Sequence, residues 1–302
     1  MDGTDVSGTT VRDGDVNGRL FRGLGDGPHP GVLVLHGAGG ARGYEQTYAA
    51  MLAAHGYSVF CVEYFGAPGL RESLVDVPLE EFESAANWLL DSADVRGDSV
   101  GVVGFSRGGE AALLVGSTFD SVGVVVAYVP SCYVWAAPSW MRGVGEDQPS
   151  WTLNGEPVPY LPIDRYITNH DDLGEPLGGD EPSASTLALE RASRHEIERA
   201  TIPVETVDGP VLLISGGRDT VWPCSLFAER AAERLARHDH PWAFEHRCFR
   251  EAGHAIRAPY QFDESVDADG EHRYGGTNEV NAEASARAWV DALEFLARGL
   301  GR

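Results

Sequence analysis

The stretch "VGVVGFSRGGEAALLVGS", residues 100–117, sets a serine between two glycines at the end of an apolar run. Ser106 is either a nucleophile or a serine in a glycine-rich turn. The pentapeptide alone does not separate the two. With 37 glycines among 302 residues, G-x-S-x-G arises by chance in roughly one such chain in three or four. The flanks carry more information. Residues 99–105 are apolar and largely β-branched, which predicts a buried strand, and 107–119 predict a helix. Ser106 then stands at a strand-to-helix turn with Gly104 and Gly108 around it. That turn lifts the hydroxyl clear of a sheet and leaves the N–H of Arg107 facing the same space.

The rest of the chain repeats the rhythm. "GVLVLHG" (31–37) and "YSVFCVEYF" (57–65) predict strands, with a glycine-stopped helix over 44–56 between them. "PLEEFESAANWLLDSA" (78–93) has Phe82, Ala85, Ala86 and Leu89 on one helical face. Strands follow at 121–129, 209–217 and 243–249, and helices at 223–237 and 281–298. Most of these strands are apolar throughout rather than alternating. This predicts an α/β fold, a mostly parallel twisted sheet with helices on both faces, over a single domain 1–302. Residues 1–30 read as a hairpin or irregular lead-in. From about 131 to 206 the rhythm stops, the chain turns rich in Trp, Tyr, Pro and acids, and a single helix is expected at 183–200. A segment of that length without strands reads as an inserted cap or lid.

A serine hydroxyl needs a base, and the base an orienting acid. Asp219 in "LLISGGRDTVWP" and His254 in "CFREAGHAIRAPY" each follow a predicted strand. That is the edge where open α/β sheets bind ligands. The chain order Ser106, Asp219, His254 is far more specific than the pentapeptide. The backbone N–H of Arg107, with Ala38 or Gly39 in "HGAGG" (36–40), would form an oxyanion hole. That loop lacks both the lysine ending and the spacing of a phosphate-binding loop. The side chain of Arg107 can meet an anionic substrate group or pair with Glu110 at i, i+3. Trp135, Trp140, Trp151 and Tyr160 would either wall an apolar acyl group or pack the insertion onto the core, and Cys132 reads as a further pocket residue. "HDH" (238–240) reads as solvated surface rather than metal ligands.

Asp and Glu total 46 against 23 basic residues, a formal charge of −23, and every basic residue is arginine. Such a surface repels nucleic acid and anionic membranes, excluding both as partners. It also suits a halophile's solvent, since at molar salt the screening length is only about 3 Å. No apolar run is long enough to span a bilayer, and the acidic N-terminus has no signal-peptide character, so a cytoplasmic protein is expected. The cysteines (Cys61, Cys132, Cys224, Cys248) show no metal spacing or disulfide framework, and Cys61 and Cys248 fall in strand-like runs that predict buried thiols. No metal or organic cofactor is expected.

On these residues the chain resembles the alpha/beta-hydrolase superfamily. More narrowly it resembles the C-terminal catalytic domain of the acyl-CoA thioester hydrolase and bile acid-CoA:amino acid N-acyltransferase family. The matching pieces are "PGVLVLHGAGG", "LAAHGYSVFCVEYFG", "VPLEEFESAANWLLDSADVRGDSVGVVGFSRGGE", "LLISGGRDTVWP", "CFREAGHAIRAPY" and "YGGTNEVNAEASARAWVDALEFL". The resemblance implies nucleophile, acid and base at Ser106, Asp219 and His254, and a small-molecule acyl ester or thioester as substrate. Members of that family usually carry an N-terminal β-sandwich domain, whereas about 30 residues precede the first core strand here. Its transferases place cysteine where this chain has Ser106, which favours water over an amine as acyl acceptor. The expected function is therefore an acyl-CoA thioesterase-like serine hydrolase. The alternatives are a dienelactone-hydrolase-like carboxylesterase or peptidase, an N-acyltransferase, and a non-catalytic binding protein on the same fold.

Overall fold

The computed structural model describes residues 7–41, 43–166, 183–259 and 273–301. An N-terminal hairpin, β1 (Thr9–Asp13) and β2 (Val16–Phe21), leads into β3 (His29–Leu35), α1 (Tyr44–Ala54) and β4 (Ser58–Val62). Then come β5 (Val77–Pro78), α2 (Glu80–Leu90), β6 (Val95–Phe105), α3 (Arg107–Thr118) and β7 (Val122–Tyr128). The stretch that follows holds β8 (Trp151–Leu153), β9 (Glu156–Pro157), α4 (Ala184–Arg191) and α5 (Arg194–Ala200). The chain closes with β10 (Val211–Gly216), α6 (Cys224–Arg237), β11 (Phe244–Phe249) and α7 (Asn278–Gly299).

Among the described residues the main sheet has eight strands in the order β1-β2-β4-β3-β6-β7-β10-β11. From β4 to β11 every pairing is parallel, and only the hairpin joins antiparallel, through Gly18↔Val62 to Phe21↔Val59. The central strands β3, β7 and β10, and β6 from Val100 to Phe105, are almost wholly buried, which is why their sequences run apolar without alternation. Side chains alternate across a strand. A Cβ on Gly101 would meet Leu296 of α7, and one on Gly104 would collide with Gly108 of α3, so these two helices cover opposite faces. On the α7 face, Trp289 meets Tyr48 of α1 at 4.9 Å. From β3 the chain winds first to one side, through α1 to β4, and then to the other, from β6 to β11. The reversal lies between β3 and β6, so their carboxyl ends flank a crevice.

The segment 131–206 departs from its expected form in two ways. Its strand β8 pairs with β5, outside the segment, through Val77↔Trp151 and Pro78↔Thr152, so a small sheet stitches it to the core. The helix expected over 183–200 is two helices, because Ser193 caps the N-terminus of α5 in a reciprocal box with Glu196. Residues 167–182 of the segment lie outside the described residues. Two smaller expectations also change. Cys248 is exposed, because β11 is the sheet's edge strand, while Cys61, Cys132 and Cys224 are buried; all four are free thiols. His240 is buried, its ring nitrogens facing the carbonyl oxygens of Glu205 and Gly209 at 3.4 and 3.1 Å, whereas its neighbour His238 is exposed.

Candidate active site

Glycines make the turn at Ser106 possible. A Cβ at Gly104 would collide with the carbonyl of Gly108, and one at Gly108 with the carbonyls of Leu35 and His36. Only glycine at both places lets α3 start directly against β6 and β3. Ser106 itself has φ 57° and ψ −117°, a conformation that a side chain rarely adopts. Its N–H is held by Tyr128 O at 2.9 Å. The strain, on the order of 1–3 kcal/mol, is the cost of projecting Oγ off the sheet edge.

His254 and Asp219 reach that hydroxyl from two other loops. Ser106 Oγ donates to His254 Nε2 at 2.9 Å, and His254 Nδ1 donates to Asp219 Oδ2 at 2.6 Å. Asp219 is held by the N–H groups of Val221 and Trp222, which donate to its Oδ1 at 2.8 and 3.3 Å. The His254 N–H donates to Tyr274 O at 2.8 Å, which fixes the loop carrying the imidazole. Ser106 is partly exposed, whereas the imidazole is 10% and the Asp219 carboxylate 1% exposed. The three residues expected from chain order therefore form one continuous hydrogen-bonded line with only its serine end open.

The glycine-rich loop after β3 lies against the same turn. A Cβ at Gly37 would sit 3.1 Å from Phe105 O and 3.3 Å from Ser106 Cβ. The N–H of Gly37 donates to Tyr44 Oη at 3.0 Å and that of Gly40 to Gly37 O at 3.1 Å. The N–H of Ala38 has no partner among the described residues. That of Arg107, first in α3, has no acceptor within its helix. His36 anchors the loop. It is fully buried and stacks on Tyr64 at 4.0 Å, its Nδ1 lies 3.0 Å from Gly37 O, and its own carbonyl accepts from Tyr64 Oη. Burial lowers its pKa to about 4, against the opposing hydrogen bond to Gly37, so the ring is neutral and Nδ1 is the donor.

The side chain of Arg107 turns away from the cleft. Its Nη1 lies 2.8 Å from Glu110 Oε2, both groups buried. Its Nη2 donates to Trp135 O at 2.9 Å and also to Ser150 Oγ. Glu110 Oε1 accepts from the Trp151 indole at 2.8 Å and from the Trp135 N–H at 3.3 Å. Burial pushes Glu110 up to about 7, against the pull of Arg107 and these two donors. The i, i+3 pairing expected for Arg107 is present, as the clamp that fastens 131–151 to α3.

That clamp decides between the two readings of Trp135 and Trp151. Trp135 and Trp151 have no exposed surface to offer a ligand; the Trp135 indole donates to Ser131 Oγ at 2.7 Å and its ring packs on Phe227 and Tyr133. Cys132 is likewise buried, and burial pushes its thiol up to about 12. Trp140 is 55% exposed, and Tyr160 is spent in part on Asp147 O at 2.6 Å. For Trp135 and Trp151 the packing reading is the one the contacts fit. Sequence reasoning passed over Trp222, whose ring lies 5.9 Å from that of His254. Its only signal was its place three residues after Asp219. Among the described residues no group of three or more His, Cys, Asp or Glu is placed to hold a metal, and no helix is long and apolar enough to cross a membrane.

This fold is that of the alpha/beta hydrolases. A dienelactone hydrolase-like promiscuous phosphotriesterase from metagenomic libraries superposes with a TM-score of 0.57 at 14% identity, over 98% of this chain and 99% of that one. Within that class the chain belongs to the family described as BAAT / Acyl-CoA thioester hydrolase C terminal, whose model matches residues 77–302. It is 29% identical to human acyl-coenzyme A thioesterase 1 over 297 residues, 96% of this chain and 65% of the relative. To mouse acyl-coenzyme A amino acid N-acyltransferase 1 it is 27% identical over 302 residues, 99% of this chain and 66% of the relative. The chain thus spans just under two-thirds of the length of these curated relatives.

Proposed function

We propose that this protein hydrolyses acyl-CoA thioesters through an acyl-enzyme on Ser106. The observation that carries the reading is the line Asp219–His254–Ser106, at 2.6 and 2.9 Å, ending at a partly exposed hydroxyl. His254 Nε2 takes the Ser106 proton as Oγ attacks the acyl carbon. Asp219 holds Nδ1–H and so keeps Nε2 free as the acceptor, and it stabilises the imidazolium that forms. The oxyanion is received by the N–H groups of Arg107 and Ala38. His254 returns the proton to the departing sulfur, and then activates water to release the acid. Ala38 is assigned over Gly39 because its N–H has no other partner among the described residues.

The chemistry at the serine favours water over an amine as acceptor. An amine-accepting enzyme profits from a thioester-linked acyl-enzyme, which amines attack far more readily than they attack an oxygen ester; cysteine supplies that thioester and Ser106 does not. The acidic, lysine-free composition supports a high-salt solvent, and with it a cytoplasm held at high salt. The test is thiol release from an acyl-CoA series in molar KCl, with Ser106→Ala in parallel. Ser106-dependent release that varies with chain length supports the thioesterase. Ser106-dependent cleavage of nitrophenyl esters without thiol release would replace it with a carboxylesterase.

A further inference from the structure

The geometry points to Trp222 as a positioning residue that holds the His254 imidazole toward Ser106. The inference rests on the reading of Ser106, Asp219 and His254 as a hydrolytic site. The indole ring meets the imidazole at 5.9 Å between centroids and 75° between planes, so it walls one side of the base and restricts its rotation. Trp222 is itself fixed at three points. Its backbone N–H donates to Asp219 Oδ1 at 3.3 Å, its Nε1–H donates to Val129 O at 3.0 Å, and its ring packs edge-on against Phe227 at 6.0 Å. Only 7% of the residue is exposed.

The anchor on Val129 is unusual. Val129 has φ 41°, a left-handed conformation in which a β-branched side chain is a genuine outlier. It is buried at the end of β7, with its N–H donating to Ile214 O at 2.7 Å. The turn sends two successive carbonyls in different directions. Tyr128 O receives the Ser106 N–H at 2.9 Å, and Val129 O receives the Trp222 indole at 3.0 Å. The two peptides that flank the strained Val129 thus grip the nucleophile's backbone on one side and, through Trp222, the base on the other. Strain persists where the surroundings over-determine it, and here they are the supports of Ser106 and His254. A plain core tryptophan would need neither the strained carbonyl nor the imidazole contact.

The experiment compares wild type with Trp222→Phe, which keeps a ring and loses the N–H, and Trp222→Leu, which loses both. Trp289→Phe is the control, equally buried at 7% but on α7 against Tyr48. Two rates are read for each: thiol release from an acyl-CoA, and labelling of Ser106 by a fluorophosphonate, which needs an activated serine but no acyl-CoA recognition. We expect kcat and labelling to fall together, about 10-fold in Trp222→Phe and about 100-fold in Trp222→Leu, with KM within about two-fold. Trp289→Phe should keep both rates while losing thermal stability. Folded Trp222→Phe and Trp222→Leu with wild-type labelling and kcat, or losses confined to KM, would overturn the proposal. Slowed labelling in a protein that releases no thiol would sink the thioesterase reading and leave the positioning role standing.

Discussion

Arg107 and Glu110 form a buried ion pair at 2.8 Å in the first turn of the helix that follows Ser106. Each also bonds to the segment 131–151: Arg107 to Trp135 O and Ser150, Glu110 to the Trp151 indole and the Trp135 N–H. Removing one partner leaves a charge in the core with nothing to compensate it. Glu110→Gln and Arg107→Met should therefore each lose about 3–5 kcal/mol of unfolding free energy. The double variant should recover a large part of that loss. Denaturant unfolding of all four proteins in KCl checks this, and strictly additive losses would show that the two side chains act independently.

His36 gives the protein a pH dependence of defined sign. Its pKa falls from 6.5 to about 4 in the folded state because burial disfavours the imidazolium. The unfolded chain therefore binds the proton first. Stability is fully present above pH 6.5 and is lost as the pH falls toward about 4, by about 3 kcal/mol. His36→Phe keeps a ring to stack on Tyr64 and has nothing to titrate. Unfolding curves between those pH values should show the variant with a shallower acid loss than wild type. Equal slopes would contradict the assignment.

Gly108 is fixed by contact rather than by dihedral, since a Cβ there would run into the carbonyls of Leu35 and His36. In Gly108→Ala, α3 must move away from β3, carrying Ser106 and the Arg107 N–H with it. A loss of about 1–3 kcal/mol in stability is expected, with a disproportionate loss of fluorophosphonate labelling. A variant that labels at the wild-type rate would show that the helix seat does not set the serine.

The formal charge of −23 is carried without a single lysine. Self-repulsion on such a surface is screened only when the Debye length falls to a few ångströms. The thermal midpoint should rise continuously from about 0.1 M to about 2 M KCl. A midpoint that is flat or falls over this range would remove the high-salt reading.

The parts of this protein that were legible in the sequence are those fixed by short-range rules. The strand, serine and helix at 99–119 are written in one apolar run and two glycines, and Ser106, Asp219 and His254 follow from the ends of three strands of one parallel sheet. The break between α4 and α5 was also local, in the spacing of Ser193 and Glu196, but the apolar periodicity across 183–200 masked it. What could not be read depends on partners distant in the chain. Trp151 meets a carboxylate 41 residues earlier, and the Trp222 indole a carbonyl 93 residues earlier. An aromatic residue in an irregular segment has the same sequence signature whether it walls a pocket or plugs the core. Trp135, with no exposed surface, and Trp140, at 55%, show how far two such residues diverge.

Asp219→Asn addresses the orientation of the base. With Oδ1 kept as an acceptor for Val221 and Trp222, the carboxamide nitrogen faces His254 Nδ1. The imidazole must then carry its proton on Nε2, toward Ser106, where it cannot accept. A drop of about 10,000-fold in kcat with an unchanged fold is expected, read from single-turnover kinetics and circular dichroism. A loss smaller than about ten-fold would mean that Asp219 does not set the tautomer.

The most direct test of the central claim is the release of free thiol from acyl-CoA substrates in molar KCl, wild type beside Ser106→Ala. Turnover is expected in the wild type and is lost in the variant. Thiol release that persists in Ser106→Ala, or none in wild type that a fluorophosphonate labels fully, would contradict it.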